Sequence, residues 1–385
     1  MTTLLLLILY LIFFSLGLPD GLLGAAWPSM YQDLETSVFA AGLISMIILT
    51  GGLCSALVCG RIVRQIGTAK TAILCLGLLA LALMGFSMSR RLWHLCLWAL
   101  AFGAGSGGLD AVANGFAVQN CRARQIGLLH SFRGTGAAAG PCLMGLCFTG
   151  SLNWHSGYQI AGITEVVLTM LLFMSLPAWR GMTKKTALLR TGNRKVLSIG
   201  KIRKLPGMKN RLAAFFFCGA LEASASIWAG SYIVLTDMAD ALTAARWVSL
   251  FFIGIVAGRL GYALAADRIG DRRVLHLGQA AILLGLVCLL LPGQETLLAG
   301  LLILGTGCAP VYPALIHSTD LYDDADRGYG VMGMQMAASC LGGAVIPAVF
   351  GLLAVWTGAD SYPVYLLVLL AALSLTAGKA VRYQM

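Results

Sequence analysis

Charge is what this chain has least of. Only 11% of its 385 residues are Asp, Glu, Lys or Arg, while 58% are hydrophobic. A water-soluble domain cannot hide that much apolar surface behind so few polar groups, so a soluble enzyme or binding module is excluded. Acid is scarcer than base, with 16 Asp and Glu against 27 Lys and Arg. There is no CxxC pair and no His-rich tract, which leaves no metal-ligand set. No nucleophile–base set stands out either. The eleven cysteines fall within or at the ends of apolar runs, with Cys121 at a helix end beside Arg122. They read as small apolar packing residues rather than a disulfide framework. The apolar runs do not alternate with polar residues, which argues against a β-barrel. The first run lacks a basic leader and a small-residue cleavage site, so it is expected to be a retained helix rather than a signal peptide.

What is present is a succession of long apolar runs. Twelve are expected as helices, at about 4–27, 38–59, 69–88, 92–119, 125–149, 157–178, 211–235, 243–265, 273–291, 295–317, 328–354 and 361–380. Most reach the roughly 20 residues needed to cross the hydrocarbon core. The fold class is therefore an all-α membrane protein with twelve transmembrane helices. If the N-terminus is cytoplasmic, the inner loops carry 22 basic residues and the outer loops only Arg90, Arg91 and Arg246. The positive-inside rule then puts both termini in the cytoplasm. The net charge of +11 is explained without a nucleic-acid partner.

The one long polar stretch runs from Arg180 to Arg211, with eleven basic residues and no acid. It reads as a basic linker over 180–210 between an N-terminal bundle at 1–179 and a C-terminal bundle at 211–385. Its charge suits an anionic lipid surface as well as a solvated loop. The two halves echo each other. Gly17-x-x-Asp20 with Trp27 in span 1 answers Gly219-x-x-Glu222 with Trp228 in span 7. Pro141 and Gly145 answer Pro347 and Gly351, Gly103-x-Gly105-x-Gly107 answers Gly305-x-Gly307, and Gly67 answers Gly270. Each match is weak alone, but all fall in the same order along corresponding spans.

Four acids lie within spans: Asp20, Asp110, Glu165 and Glu222. A charge there costs several kcal/mol, about 3 on the insertion scale, and is usually functional. Pro19 and Gly21 flank Asp20, so span 1 is expected to bend there, against protein or a water-filled cavity. The competing reading is a loop carboxylate just outside a shorter helix. Asp110 and Asn114 are four apart and share a helix face. Together they offer a carboxylate and an amide, groups that suit hydroxyl-rich solutes. Arg133 and Arg259 also lie within spans and need partners. Asp110 is the first candidate for Arg133, in which case Asp20 alone would be free to switch. Arg259 would hold Glu222 or a backbone carbonyl.

This 6+6 pattern with a basic central loop resembles the major facilitator superfamily over the whole chain. Asp267-Arg268-Ile269-Gly270-Asp271-Arg272-Arg273 looks like the superfamily's loop signature after span 8. The resemblance implies a cytoplasmic gate at Asp267, Arg268 and Arg272, acting through charge-assisted hydrogen bonds. After span 2 the corresponding loop has Arg64 in place of the acid. The stretches Gly107–Val118 and Leu129–Ala137 are similar to spans 4 and 5 of the fucose–proton symporters. Asp20-Gly21-x-x-Gly24-x-x-Trp27-Pro28 with Glu222, Trp228 and Tyr232 looks closer to the branch of sodium-dependent glucose transporters.

That resemblance implies two six-helix bundles and a secondary active transporter rather than an enzyme. It implies cation-coupled import of a sugar or sugar-like solute by alternating access, with Asp20, Asp110 and Glu222 as coupling acids. The ion is H⁺ or Na⁺, with H⁺ favoured because buried carboxylates beside a His suffice for it. The implied solute contacts are Asn114, His130, Trp27, Trp228, Tyr232, Tyr312 and Gln335. Trp27 fits an interfacial aromatic belt equally well. Glu165 is the weakest of the acids, since span 6 usually supports the bundle. The expected form is a monomer in the cell (inner) membrane, with no cofactor beyond the coupling ion. The alternative is a proton-coupled exporter or drug antiporter, for which Gly136-x-x-x-Gly140-Pro141 speaks. The absence of an Arg between Leu95 and Gly103 speaks against it.

Overall fold

The structure is a computed structural model, and it describes residues 3–121, 123–149, 152–177, 179, 205, 207–317 and 325–382. The basic linker expected at 180–210 therefore lies almost wholly outside the described residues. Among the described residues there is no strand. The first half holds α1 (Thr3–Gly17), α2 (Leu22–Asp33), α3 (Ala40–Ile66), α4 (Thr68–Ser87), α5 (Leu92–Asn120), α6 (Ala123–Thr149) and α7 (Trp154–Met174). The second holds α8 (Met208–Leu235), α9 (Ala241–Ile269), α10 (Asp271–Leu290), α11 (Gln294–His317), α12 (Ala325–Thr357) and α13 (Tyr362–Arg382). Each expected span is a helix, span 1 being α1 and α2 together. Eleven passages are long and apolar enough to cross a membrane, α1 with α2 counting as one over Leu5–Asp33. The remaining long helix is α6, whose His130, Ser131, Arg133 and Thr135 dilute its apolar length.

The chain divides into two compact units. One comprises Met1–Gly192 with Ala241–Ser249, the other Asn193–Asp240 with Leu250–Met385. Inside the first, α4 lies between α5 and α7, α3 packs on α5, and α1 packs on α6. Leu9, Phe13 and Leu16 of α1 share a buried core with Leu76, Leu109, Phe116 and Leu129. In the second unit α8 packs on α12 and α13, and α10 on α11 and α13.

Span 1 is broken where Pro19 and Gly21 predict. The Leu18 N–H still reaches the Phe14 carbonyl at 3.0 Å, but the Asp20 N–H turns back to Gly17 at 2.9 Å. Pro19 has no N–H to give, and helix resumes at Leu22. Just before the break, α1 and α6 touch backbone to backbone. A Cβ on Gly17 would sit 1.9 Å from the Arg133 carbonyl oxygen, and one on Gly136 would sit 2.0 Å from that of Phe14. The second unit repeats the crossing between α8 and α12, with Gly219 on the Ser339 carbonyl at 2.2 Å and Gly342 on that of Phe216 at 1.9 Å. Gly67 and Gly270, paired in the sequence repeat, both join consecutive helices with φ of 90° and 82°. The repeat is thus a repeat of backbone geometry within each unit, fixed where no side chain fits.

Replacing Gly17 by Ala should cost about 1–3 kcal/mol, the usual range for overpacking, because the obstacle is backbone. Gly378→Ala, in open space on α13, should be neutral or stabilising. Thermal unfolding of the purified variants reads the difference, and an unchanged melting point for Gly17→Ala would contradict the crossing.

Candidate functional site

The α1–α6 crossing brings the break in span 1 against the one cationic side chain the structure describes in mid-α6. Arg133 reaches in two directions. Its NH1 donates to Asp110 Oδ1 on α5, and its Nε and NH2 each lie 3.4 Å from Asp20 Oδ2. Asn114, one turn along α5, donates from Nδ2 to the Asp110 carboxylate at 3.1 Å and to its carbonyl at 3.0 Å. Asp110 thus has a guanidinium and an amide around it. The Asp20 contacts are at the long limit for a hydrogen bond and are mainly electrostatic. Sequence reasoning pairs Arg133 with Asp110 first and leaves Asp20 apart, whereas the structure brings Arg133 to both. Two carboxylates share one guanidinium.

The cluster is accessible. Side-chain exposure is 28% for Arg133, 26% for Asp110 and 40% for Asp20. His130 lies one turn before Arg133 and meets Phe13 edge-on, with ring centroids 5.3 Å apart. The grouping follows from local sequence. Gly17 and Gly136 let the backbones close, Pro19 ends α1, and the turn then carries Asp20 to the Arg133 side.

The second unit has an acid in the equivalent place with a different cation. Glu222 follows Gly219 as Asp20 follows Gly17. The carbonyl under Gly219 belongs to Ser339, where the first unit has Arg133. The positive charge comes instead from α9, where Arg259 NH2 lies 3.8 Å from Glu222 Oε1. Both are about one-third exposed. At that distance the contact is an ion pair without a hydrogen bond.

Three of the expected solute-contacting aromatics are committed to packing. Trp27 is fully buried, and its indole N–H donates to the Val38 carbonyl. Trp228, 2% exposed, donates to the Pro347 carbonyl at 3.1 Å and meets Phe350 edge-on. Tyr232 is 6% exposed and donates to the Leu289 carbonyl at 3.2 Å. Buried indole and phenol groups need such partners, and these have found them in the backbone. Tyr312 stays half-buried, edge-on to Phe215. Gln335 is fully buried. At the α9–α10 turn Arg268 and Arg272 are exposed, and Asp271 accepts from the Tyr262 hydroxyl at 2.8 Å. The side chain of Asp267 lies outside the described residues.

Sequence reasoning missed two arrangements. Tyr365 donates to the Ile346 carbonyl at 3.2 Å and bonds Ser224 at 2.6 Å, so with Trp228 it secures α12 around Pro347. Ser15 of α1 donates at 2.8 Å to Glu165 of α7, 150 residues away. Neither pairing has a periodic signal, because each joins one helix to another.

Two units built on one backbone repeat, each with an acid just past a glycine crossing and paired to an intramembrane Arg, make this a multi-pass membrane transporter rather than an enzyme. The family model described as Major Facilitator Superfamily matches residues 9–245 and 216–382, and the chain belongs to that superfamily. The glucose/mannose transporter GlcP of Bacillus subtilis (strain 168) is 20% identical over 357 residues, covering 89% of this chain and 86% of that one. Among solved structures, the nucleoside transporter NupG (D323A mutant) superposes with a TM-score of 0.81 at 13% identity, covering 99% of this chain and 100% of that one. A bacterial homolog to the human lysosomal transporter Spinster, inward-facing and occupied, gives a TM-score of 0.70 at 13% identity, covering 99% and 96%.

Arg133→Gln removes the cation that Asp110 and Asp20 share. The stability lost on Asp110→Asn should be smaller in the Arg133→Gln background than in wild type, by on the order of 1 kcal/mol, the scale of coupling between partly exposed charges in contact. Thermal unfolding of wild type, the two single variants and the double checks this, and strictly additive losses would show that the pair carries no coupling.

Proposed function

We propose that the chain is a cation-coupled symporter for a small hydroxyl-rich solute, a sugar or sugar-like compound, working by alternating access. The observation that carries this reading is the shared guanidinium of Arg133. Two carboxylates compete for the same guanidinium, so a cation bound by one strengthens the hold of Arg133 on the other. Asp20 is the better receiver, since Asp110 takes the closer Arg133 contact and Asn114 as well, while the Arg133–Asp20 contact is long at 3.4 Å. A proton on Asp20 weakens its attraction to Arg133 and loosens the hold on the broken end of α1. That break is like the discontinuous helices that form the solute and ion sites of many secondary transporters. Asn114 and His130 beside it supply donors and acceptors for solute hydroxyls. H⁺ is preferred to Na⁺ because this cluster offers a titratable carboxylate beside a His rather than a cage of oxygens. The relative named as a glucose/mannose transporter and the neighbour named as a nucleoside transporter both point to polyhydroxylated solutes.

The same reading covers the setting. The protein acts as a monomer in the cell (inner) membrane, with both termini in the cytoplasm and the basic 180–210 linker joining the halves on that side. The Arg268–Arg272 turn then lies at the cytoplasmic gate, and Glu222 with Arg259 forms the second coupling pair.

In proteoliposomes with an imposed proton gradient, wild-type protein should concentrate D-glucose or uridine. Asp20→Asn should lose that accumulation while keeping counterflow exchange of the same solute, because the solute site remains but the switch is fixed. Full accumulation by Asp20→Asn would sink the coupling assignment. A fluorescent protein fused after Met385 should fold and fluoresce, whereas alkaline phosphatase at the same point should be inactive. The opposite pair of results would reverse the orientation.

A further inference from the structure

The acid that sequence reasoning ranks last is the one most completely shut away. Glu165 is 0% exposed, as is Ser15. The Ser15 hydroxyl donates to Oε2 at 2.8 Å, and Oε1 has no hydrogen-bond partner. Among the described residues no Lys, Arg or His comes within ion-pairing reach of this carboxyl. The helices packed on α7 are α1, α2, α4 and α6. Their charged and titratable groups are engaged or distant: Asp33 accepts from Trp154 at 2.7 Å, Arg133 is held at the Asp20 cluster, and Lys70 is exposed at the start of α4. His130 sits edge-on to Phe13, and Tyr10 packs on Phe132. On α7 itself, His155 meets the Ser89 carbonyl at 3.2 Å and Tyr158 is buried. One hydroxyl cannot compensate a dry, unpaired anion, so the group sits there as the neutral acid.

Its position gives that proton a consequence. Ser15 lies two residues before Gly17, whose backbone rests on Arg133. Helix α1 is therefore held on one side by the Glu165 hydrogen bond and on the other by the glycine crossing, and its next turn carries Asp20. Losing the Glu165 proton would leave an anion in an apolar wall beside α1, tolerable only if α1 shifts to admit a cation or water. We propose that Glu165 is a second proton-binding site of the transporter, a positioning residue that acts on the Asp20–Arg133 pair through Ser15 and α1. This rests on the symport reading above and adds the place where a proton is held while Arg133 keeps Asp20 and Asp110 charged.

Two measurements on the full-length protein test it. The first is infrared absorption of purified protein at neutral pH. Wild type should show the C=O band of a protonated carboxyl, which Glu165→Gln removes and Asp20→Asn leaves. Ser15→Ala should move that band to higher frequency by removing the hydrogen bond to it, so a poorly folding Glu165→Gln would not leave the assignment undecided. The second is proton-driven D-glucose uptake in proteoliposomes. Glu165→Gln keeps an acceptor for Ser15 and should leave counterflow intact, but it should lose concentrative uptake and flatten the pH profile. Glu165→Asp should restore part of the accumulation. A band untouched by Glu165→Gln, or a Glu165→Gln protein that accumulates glucose as wild type does, overturns the proposal. If wild type itself only equilibrates glucose under a proton gradient, the symport reading fails, and the infrared band still decides whether Glu165 holds a proton.

Discussion

One guanidinium held between two carboxylates, inside an otherwise apolar helix bundle, is the contact on which the first unit is organised. Removing charged groups from water costs several kcal/mol each, so they must be matched closely or left partly wet. Here both are done. Arg133 touches Asp110 and Asp20, and all three keep about a quarter to two-fifths of their side-chain surface exposed. One guanidinium thereby serves acids on two different segments of the unit.

The glycines explain how a single arginine can serve two helices. With no Cβ at Gly17 or Gly136, α1 and α6 approach until backbone meets backbone. The next turn of α1 must then break, because Pro19 lacks the donor a continuing helix needs. Close approach followed at once by a break puts Asp20 beside Arg133. The second unit shares the approach at Gly219 and Gly342 and has an acid at the same remove, but its cation comes from α9. One backbone plan therefore carries two charge arrangements. Ser339 in place of Arg133 marks where the repeats have diverged.

The aromatic residues show the opposite division of labour. Trp27, Trp228 and Tyr232 look in sequence like a sugar platform, yet each gives its polar atom to a backbone carbonyl and its ring to the core. Trp228 and Tyr365 bond the carbonyls of Pro347 and Ile346, where a proline inside α12 disturbs the helical ladder. They tie α12 to α8 and α13 beside its proline. The proposed solute contacts consequently rest on the polar residues near the acids, Asn114 and His130, rather than on a set of rings.

The sequence by itself determined the helices, their number and the repeat. Apolar runs of membrane length leave a chain little choice but to satisfy its backbone within each run. Pro19 and Gly21 foretold the broken first helix, and the order of shared glycines foretold the repeated crossings. The acids and arginines were legible as a list, since any charge in such a run is conspicuous. Their pairing was legible only in part: Asp110 for Arg133 and Glu222 for Arg259 were candidates, and the structure has both contacts. That Arg133 also reaches Asp20, and that Ser15 closes on Glu165, depend on contacts between residues up to 150 positions apart. Hydropathy and periodicity are properties of one helix. Which charge meets which is a property of how helices cross, and only the tertiary structure decided it.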